Sequence, residues 1–163
     1  YAFLISYQSF DDGKTLAALL KNNIRVHYAE CDFSVDHVNY KKGTLIVLNH
    51  ENKGKIELMV RLARVNGSDI ACISSGFMET GFDFGSQKVR NVRAPKVALL
   101  SGAGASSAAA GEVWHLFEQQ IDYANSVFAR ENNDVKFRTN ITTTFYKFAS
   151  VFYQLCSMIF FER

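Results

Sequence analysis

The 163-residue sequence predicts one α/β domain over residues 1–163, a three-layer fold around a mostly parallel sheet. Three observations lead there. Short apolar runs bounded by polar residues mark buried strands. Amphipathic stretches of roughly a dozen residues separate those runs, and that alternation is the rhythm of right-handed βαβ units. A strand, a Gly/Ser-rich turn and a helix then follow one another over residues 96–121.

Taken in order, Ala2 to Ser6 reads as a buried strand. Ser9 and Asp12 form a Ser-x-x-Asp start signal for a helix that carries Leu16, Leu19 and Leu20 at helical spacing. From Ile24 to Ala29, the apolar Ile24, Val26 and Tyr28 alternate with Arg25 and His27, the pattern of a half-buried strand. Residues 30–43 read as an irregular or hairpin insertion, and Thr44 to Leu48 as a strong strand released by Gly43. A helix is expected from about Lys53 to Val65, with Ile56, Met59, Val60 and Ala63 on one face and Gly67 closing it. Ile70 to Ser74 is the next strand, with Cys72 read as a buried strand residue. Residues 75–94 lack periodicity, carry glycines at 76, 81 and 85, and read as a functional or linking loop. Pro95 precedes a strand from Lys96 to Leu100, followed by a helix from Gly111 to Ile121 and a strand from Asn125 to Ala129. A boundary between 94 and 95 would subdivide the domain. Phe145, Phe148, Phe152, Leu155 and Ile159 recur at helical spacing, while Lys147 and Gln154 keep residues 141–162 from reading as a membrane span.

Composition excludes several function classes. Hydrophobic and charged fractions of 48% and 21% are those of an ordinary globular chain, and a net charge of +2 does not point to nucleic acid or an anionic membrane. The basic residues Lys88, Arg90, Arg93 and Lys96 read as a solvated loop. Cys31, Cys72 and Cys156 are far apart, with no CxxC or Cys/His ligand spacing, so neither a zinc site nor a disulfide framework is expected. The chain opens at Tyr1 on a strand-like segment without a basic flank, so no signal peptide is expected there. A start other than Met is expected of a piece of a longer protein.

The turn between Leu100 and Glu112 is the place to look for chemistry. Small residues before a helix leave backbone N–H groups free, and a phosphate or carboxylate is favoured there. Gly102, Gly104, Ser106 and Ser107 are therefore the candidate ligand-binding residues. Each specific motif is nonetheless incomplete. Gly102 and Gly104 supply G-x-G, but Ser107 stands where the third dinucleotide-binding glycine belongs, and a Walker lysine is missing. Gly104-Ala-Ser106-Ser-Ala108 fails as a nucleophile elbow at its last position. His115-Leu-Phe-Glu118 is an H-x-x-E string, and Glu112, His115 and Glu118 or Gln119 share one helical face, but no third ligand is identifiable, so no metal is assigned. Ser75, Glu79, Asp83 and Ser86 surround the glycine loop without pairing a nucleophile with a base, and turn chemistry with aromatic anchors accounts for them best.

Three strings carry a resemblance: Ser74-Ser75-Gly76-Phe77 with Gly81-Phe82-Asp83-Phe84-Gly85-Ser86; Ala94-Pro95-Lys96-Val97-Ala98-Leu99-Leu100-Ser101-Gly102; and Gly111-Glu112-Val113-Trp114-His115-Leu116-Phe117-Glu118-Gln119. With Lys42-Gly43-Thr44-Leu45-Ile46-Val47, they resemble the C-terminal region of large bacterial zinc carboxypeptidase-type proteins over roughly residues 1–125. That region follows the peptidase domain and is similar to class I glutamine amidotransferases. The resemblance implies a flavodoxin-like, amidotransferase-like fold and a periplasmic or extracellular setting. It also implies an upstream peptidase domain of the same polypeptide as partner, with a homo-oligomer as the other expected association. Zinc is implied only in that upstream domain, so this chain is expected to hold no cofactor.

An active amidotransferase would need a nucleophilic Cys on a G-x-C-x-G elbow with a later His and Glu. Cys31, Cys72 and Cys156 all lack the flanking glycines, and no His follows His115. After Tyr123 the chain departs from the family pattern, and residues 132–163 form a divergent tail. The expectation is therefore a non-catalytic accessory domain serving substrate positioning, interdomain packing or assembly. A small-ligand or anion-binding domain using Gly102–Ser107 is the alternative, and a degenerate hydrolase using Ser106 or Ser107 ranks third.

Overall fold

The computed structural model describes residues 1–102, 106–123 and 125–130. The chain divides into two compact units, the first covering Tyr1–Ala94 and the second beginning at Pro95.

In the first unit, strand β1 (Ala2–Ile5) leads into helix α1 (Phe10–Lys21). Ser9 caps this helix by a reciprocal box: its hydroxyl accepts from the Asp12 N–H at 3.2 Å, and the Asp12 carboxylate accepts from the Ser9 N–H at 2.9 Å. Asp11 and Asp12 in the first turn and Lys21 in the last complement the helix dipole. The chain continues through β2 (His27–Ala29), the hairpin β3 (Phe33–Val35) and β4 (Val38–Tyr40), and β5 (Leu45–Leu48). A 3-10 turn at Asn49–Glu51 feeds helix α2 (Ile56–Val65). The strands β6 (Ile70–Ile73) and β7 (Val89–Asn91) complete the unit.

Five of these strands form one sheet in the order β6-β1-β5-β2-β7, and every pairing in it is antiparallel. This overturns the expected three-layer, mostly parallel, flavodoxin-like fold. The reason lies in how the two helical crossovers interleave. β1 and β2, joined through α1, both run antiparallel to β5 and hence parallel to each other, but β5 lies between them. β5 and β6, joined through α2, are likewise parallel to each other with β1 between them. Each crossover links parallel strands, as the alternation implied, yet each leaves a gap that the other crossover fills. The result is the split βαβ order of ferredoxin-like domains, with a hairpin inserted before β5 and a fifth strand added beyond β2.

Both faces of the sheet are covered. On one side Leu19 of α1 and Met59 and Ala63 of α2 pack on Ile5, Val26, Leu45 and Val47. On the other, Phe33, Val35 and Tyr40 of the hairpin, together with Phe84, pack on Ala2, Leu4, Ile46, Leu48 and Ile73. Leu4, Ile5, Ile46 and Val47 are fully enclosed, which contributes about 1.5–3 kcal/mol for each such side chain. A strand buried on both faces reads as a continuous apolar run, the usual sign of a parallel sheet. Here an antiparallel sheet earns the same pattern because a hairpin and a loop cover its second face.

Local readings are corrected too. The half-buried strand expected over 24–29 is strand only from His27 to Ala29, with the Val26 carbonyl still accepting from the Val92 N–H at 2.8 Å, and the expected loop 75–94 contains β7. Cys72 is exposed rather than buried, because β6 is an edge strand.

In the second unit, β8 (Val97–Gly102) pairs in parallel with β9 (Asn125–Arg130), in register from Val97 opposite Asn125 to Gly102 opposite Arg130. Between them lie helix α3 (Ser107–His115) and a π-helical turn at Leu116–Gln120. Phe117 is buried, and the Tyr123 hydroxyl donates to the Pro95 carbonyl at 2.7 Å. The amphipathic segment read over 141–162, and the tail 132–163 as a whole, lie outside the described residues.

Candidate functional site

Chemistry-bearing groups come together in both units. In the second unit, the parallel crossover places the N-terminus of α3 just beyond the carboxyl end of β8, the position where open α/β sheets hold ligands. Gly102 is the last residue of β8, and Ser107 is the first of α3. Ser106 is the helix N-cap, its hydroxyl accepting from the Ala109 N–H at 3.4 Å. Of the four residues singled out in this turn, Gly104 lies outside the described residues. Ser106 and Ser107 are exposed, and the helix begins four residues before the expected Gly111. His115 ends α3 on the solvent side, and among the described residues no group of three His, Cys, Asp or Glu side chains is placed to hold a metal ion.

In the first unit, the His27 Nε2 lies 2.8 Å from a Glu51 carboxylate oxygen, with the two side chains only 15% and 22% exposed. β2 supplies the histidine, and the 3-10 turn after β5 supplies the glutamate. His50 Nε2 stands 4.0 Å from the other oxygen of Glu51. The hydrogen bond from His27 outweighs burial and, with the charges of His27, His50 and Arg25, holds the Glu51 carboxyl below its ordinary range. An ionised carboxylate only accepts, so the Nε2 of His27 donates in this contact. The pair fixes the orientation of the His27 imidazole.

The turn that carries Glu51 is fixed by Asn52, which is 2% exposed. Its side-chain oxygen accepts from the Arg25 N–H at 2.8 Å, and its amide nitrogen donates to the carbonyls of Arg25 and Leu48, each at 3.0 Å. A buried amide with its partners supplied by backbone ties β5 to the segment entering β2.

A second polar cluster sits at the start of α1. The Asp12 carboxylate accepts from the backbone of Gln8 and Ser9 and from the Ser9 hydroxyl, while the hydroxyls of Thr15 and Ser68 lie 2.7 Å apart. Burial opposes the charge on Asp12, but hydrogen bonds from Ser68, Gln8 and Ser9 together outweigh it and hold this carboxyl below its usual range. Burial, aided by the Asp12 charge, pushes the nearby Tyr7 hydroxyl up.

The glycine loop does structural work through its side chains. The hydroxyls of Ser75 and Ser86 accept from N–H groups two residues on, at Phe77 and Lys88. Glu79 accepts from the His37 N–H and pairs with His37 Nδ1 at 3.1 Å, and Asp83 offers its carbonyl to Ser86. Phe82 and Phe84 pack on Phe33 as aromatic anchors, whereas Phe77 is 80% exposed. Of the basic residues read as a solvated loop, Arg90 pairs with Glu30 at 2.9 Å.

Reading the sequence alone missed the contact between His27 and Glu51, because 24 residues separate them and neither stands in a spacing motif. Asn52 carried no signal either. The Ser9–Asp12 start signal was the one legible part of these networks. No family model, curated protein or solved structure matches this chain.

Proposed function

We propose that this chain is a non-catalytic accessory domain of a zinc carboxypeptidase-like protein, acting in substrate positioning, interdomain packing or assembly beside the peptidase domain of the same polypeptide. The observation that supports this reading is how the enclosed polar side chains of the first unit are used. Asn52 holds Arg25 and Leu48, Asp12 holds Gln8 and Ser9, Thr15 meets Ser68, and Ser34 meets Thr80 at 2.6 Å. Polar groups engaged in this way fix a unique scaffold rather than face a substrate. The resemblance in the strings around Gly76, Pro95 and Trp114 supplies the parent protein. An amidotransferase-like fold has no part in the proposal, since the sheet of residues 1–94 is antiparallel.

The test mixes the purified chain with the zinc-loaded peptidase domain and follows co-elution by size exclusion, then assays the chain alone on peptides. Co-elution without release of C-terminal residues by the chain alone is the expected result. Separate elution, hydrolysis by the chain, or equimolar zinc that is lost on His115→Ala would overturn it.

The strand–turn–helix geometry of β8 and α3 favours a second reading, an anion-binding role for the turn from Gly102 to Ser107. A thermal shift with phosphate, nucleotides or small carboxylates that Ser107→Glu abolishes is its expected signature. No shift with any of them would end it.

A further inference from the structure

We draw no further inference here: the strongest candidate, the uncharged outer edge of β6 (Ile70–Ile73) with Cys72 exposed on it, carries nothing because nothing in the structure shows what covers it.

Discussion

At the scale of single residues, Asn52 and Asp12 show two ways a buried polar group is kept at low cost. Asn52 matches donor for acceptor with backbone groups that no ladder bond satisfies. Truncating it leaves the Arg25 N–H and the carbonyls of Arg25 and Leu48 without their partner. Asn52→Ala should therefore lower stability by about 2–4 kcal/mol, read from the urea midpoint at an unchanged slope. A shift within the scatter of surface substitutions would mean that water replaces the amide. Asp12 adds a pH dependence. Its folded pKa is lowered, so its contribution is full above the unfolded value of about 3.9 and is lost as the pH falls through the lower folded value. Glu51, also lowered, acts in the same direction in the same acid range. Asp12→Asn should flatten the loss of stability below about pH 4, measured by thermal melts across the acid range. An unchanged acid limb in this variant would contradict the role given to the Ser9, Gln8 and Ser68 hydrogen bonds.

At the scale of elements, the hairpin β3–β4 matters because it converts an exposed sheet face into a core. Phe33 stacks on Tyr40 at 5.3 Å between ring centroids and meets Phe82 and Phe84 at 5.7 and 5.9 Å. The loop between β6 and β7 reaches this cluster through Gly81, whose φ of +104° lies in the region that side chains disfavour. A Cβ there would also stand 3.0 Å from the Phe33 Cβ and 3.1 Å from the Asp32 carbonyl oxygen. Gly67, past the end of α2, has φ +77° with open space around it. Gly67→Ala should cost about 1 kcal/mol from backbone conformation alone. Gly81→Ala carries strain of about 1–3 kcal/mol and a steric term besides. The ranking Gly81 over Gly67 in thermal stability is the checkable outcome, and the reverse order would show that the loop shifts away freely.

At the scale of the whole molecule, each unit has its own logic. In residues 1–94 the strands β1, β5 and β2 are paired on both sides, while β6 and β7 are edges. Native-state hydrogen exchange should find the slowest amides in β1 and β5, with free energies near that of global unfolding, and faster exchange in β7. Equal protection in β7 and β5 would contradict the strand order. The second unit, with its parallel β8–β9 pair joined through α3, is the part in which the sequence rhythm and the observed topology coincide.

What the sequence by itself determined is what local chemistry can decide. The cap at Ser9 and Asp12, the apolar stripe of α2, the stop at Gly67 and the strand–turn–helix order from Val97 to His115 all rest on groups within a few residues of one another. Ser106 and Ser107 stand at the start of a helix that begins earlier than its apolar spacing announced. Tertiary structure alone decided which strands are neighbours and which way they run. A strand offers the same N–H and C=O groups to a partner of either direction, and an apolar run looks the same whether helices or a hairpin cover its second face. The burial of β5 on both faces, the exposure of Cys72 and the meeting of His27 with Glu51 follow from that choice of neighbours, which is set by contacts too distant in the chain for any spacing to announce.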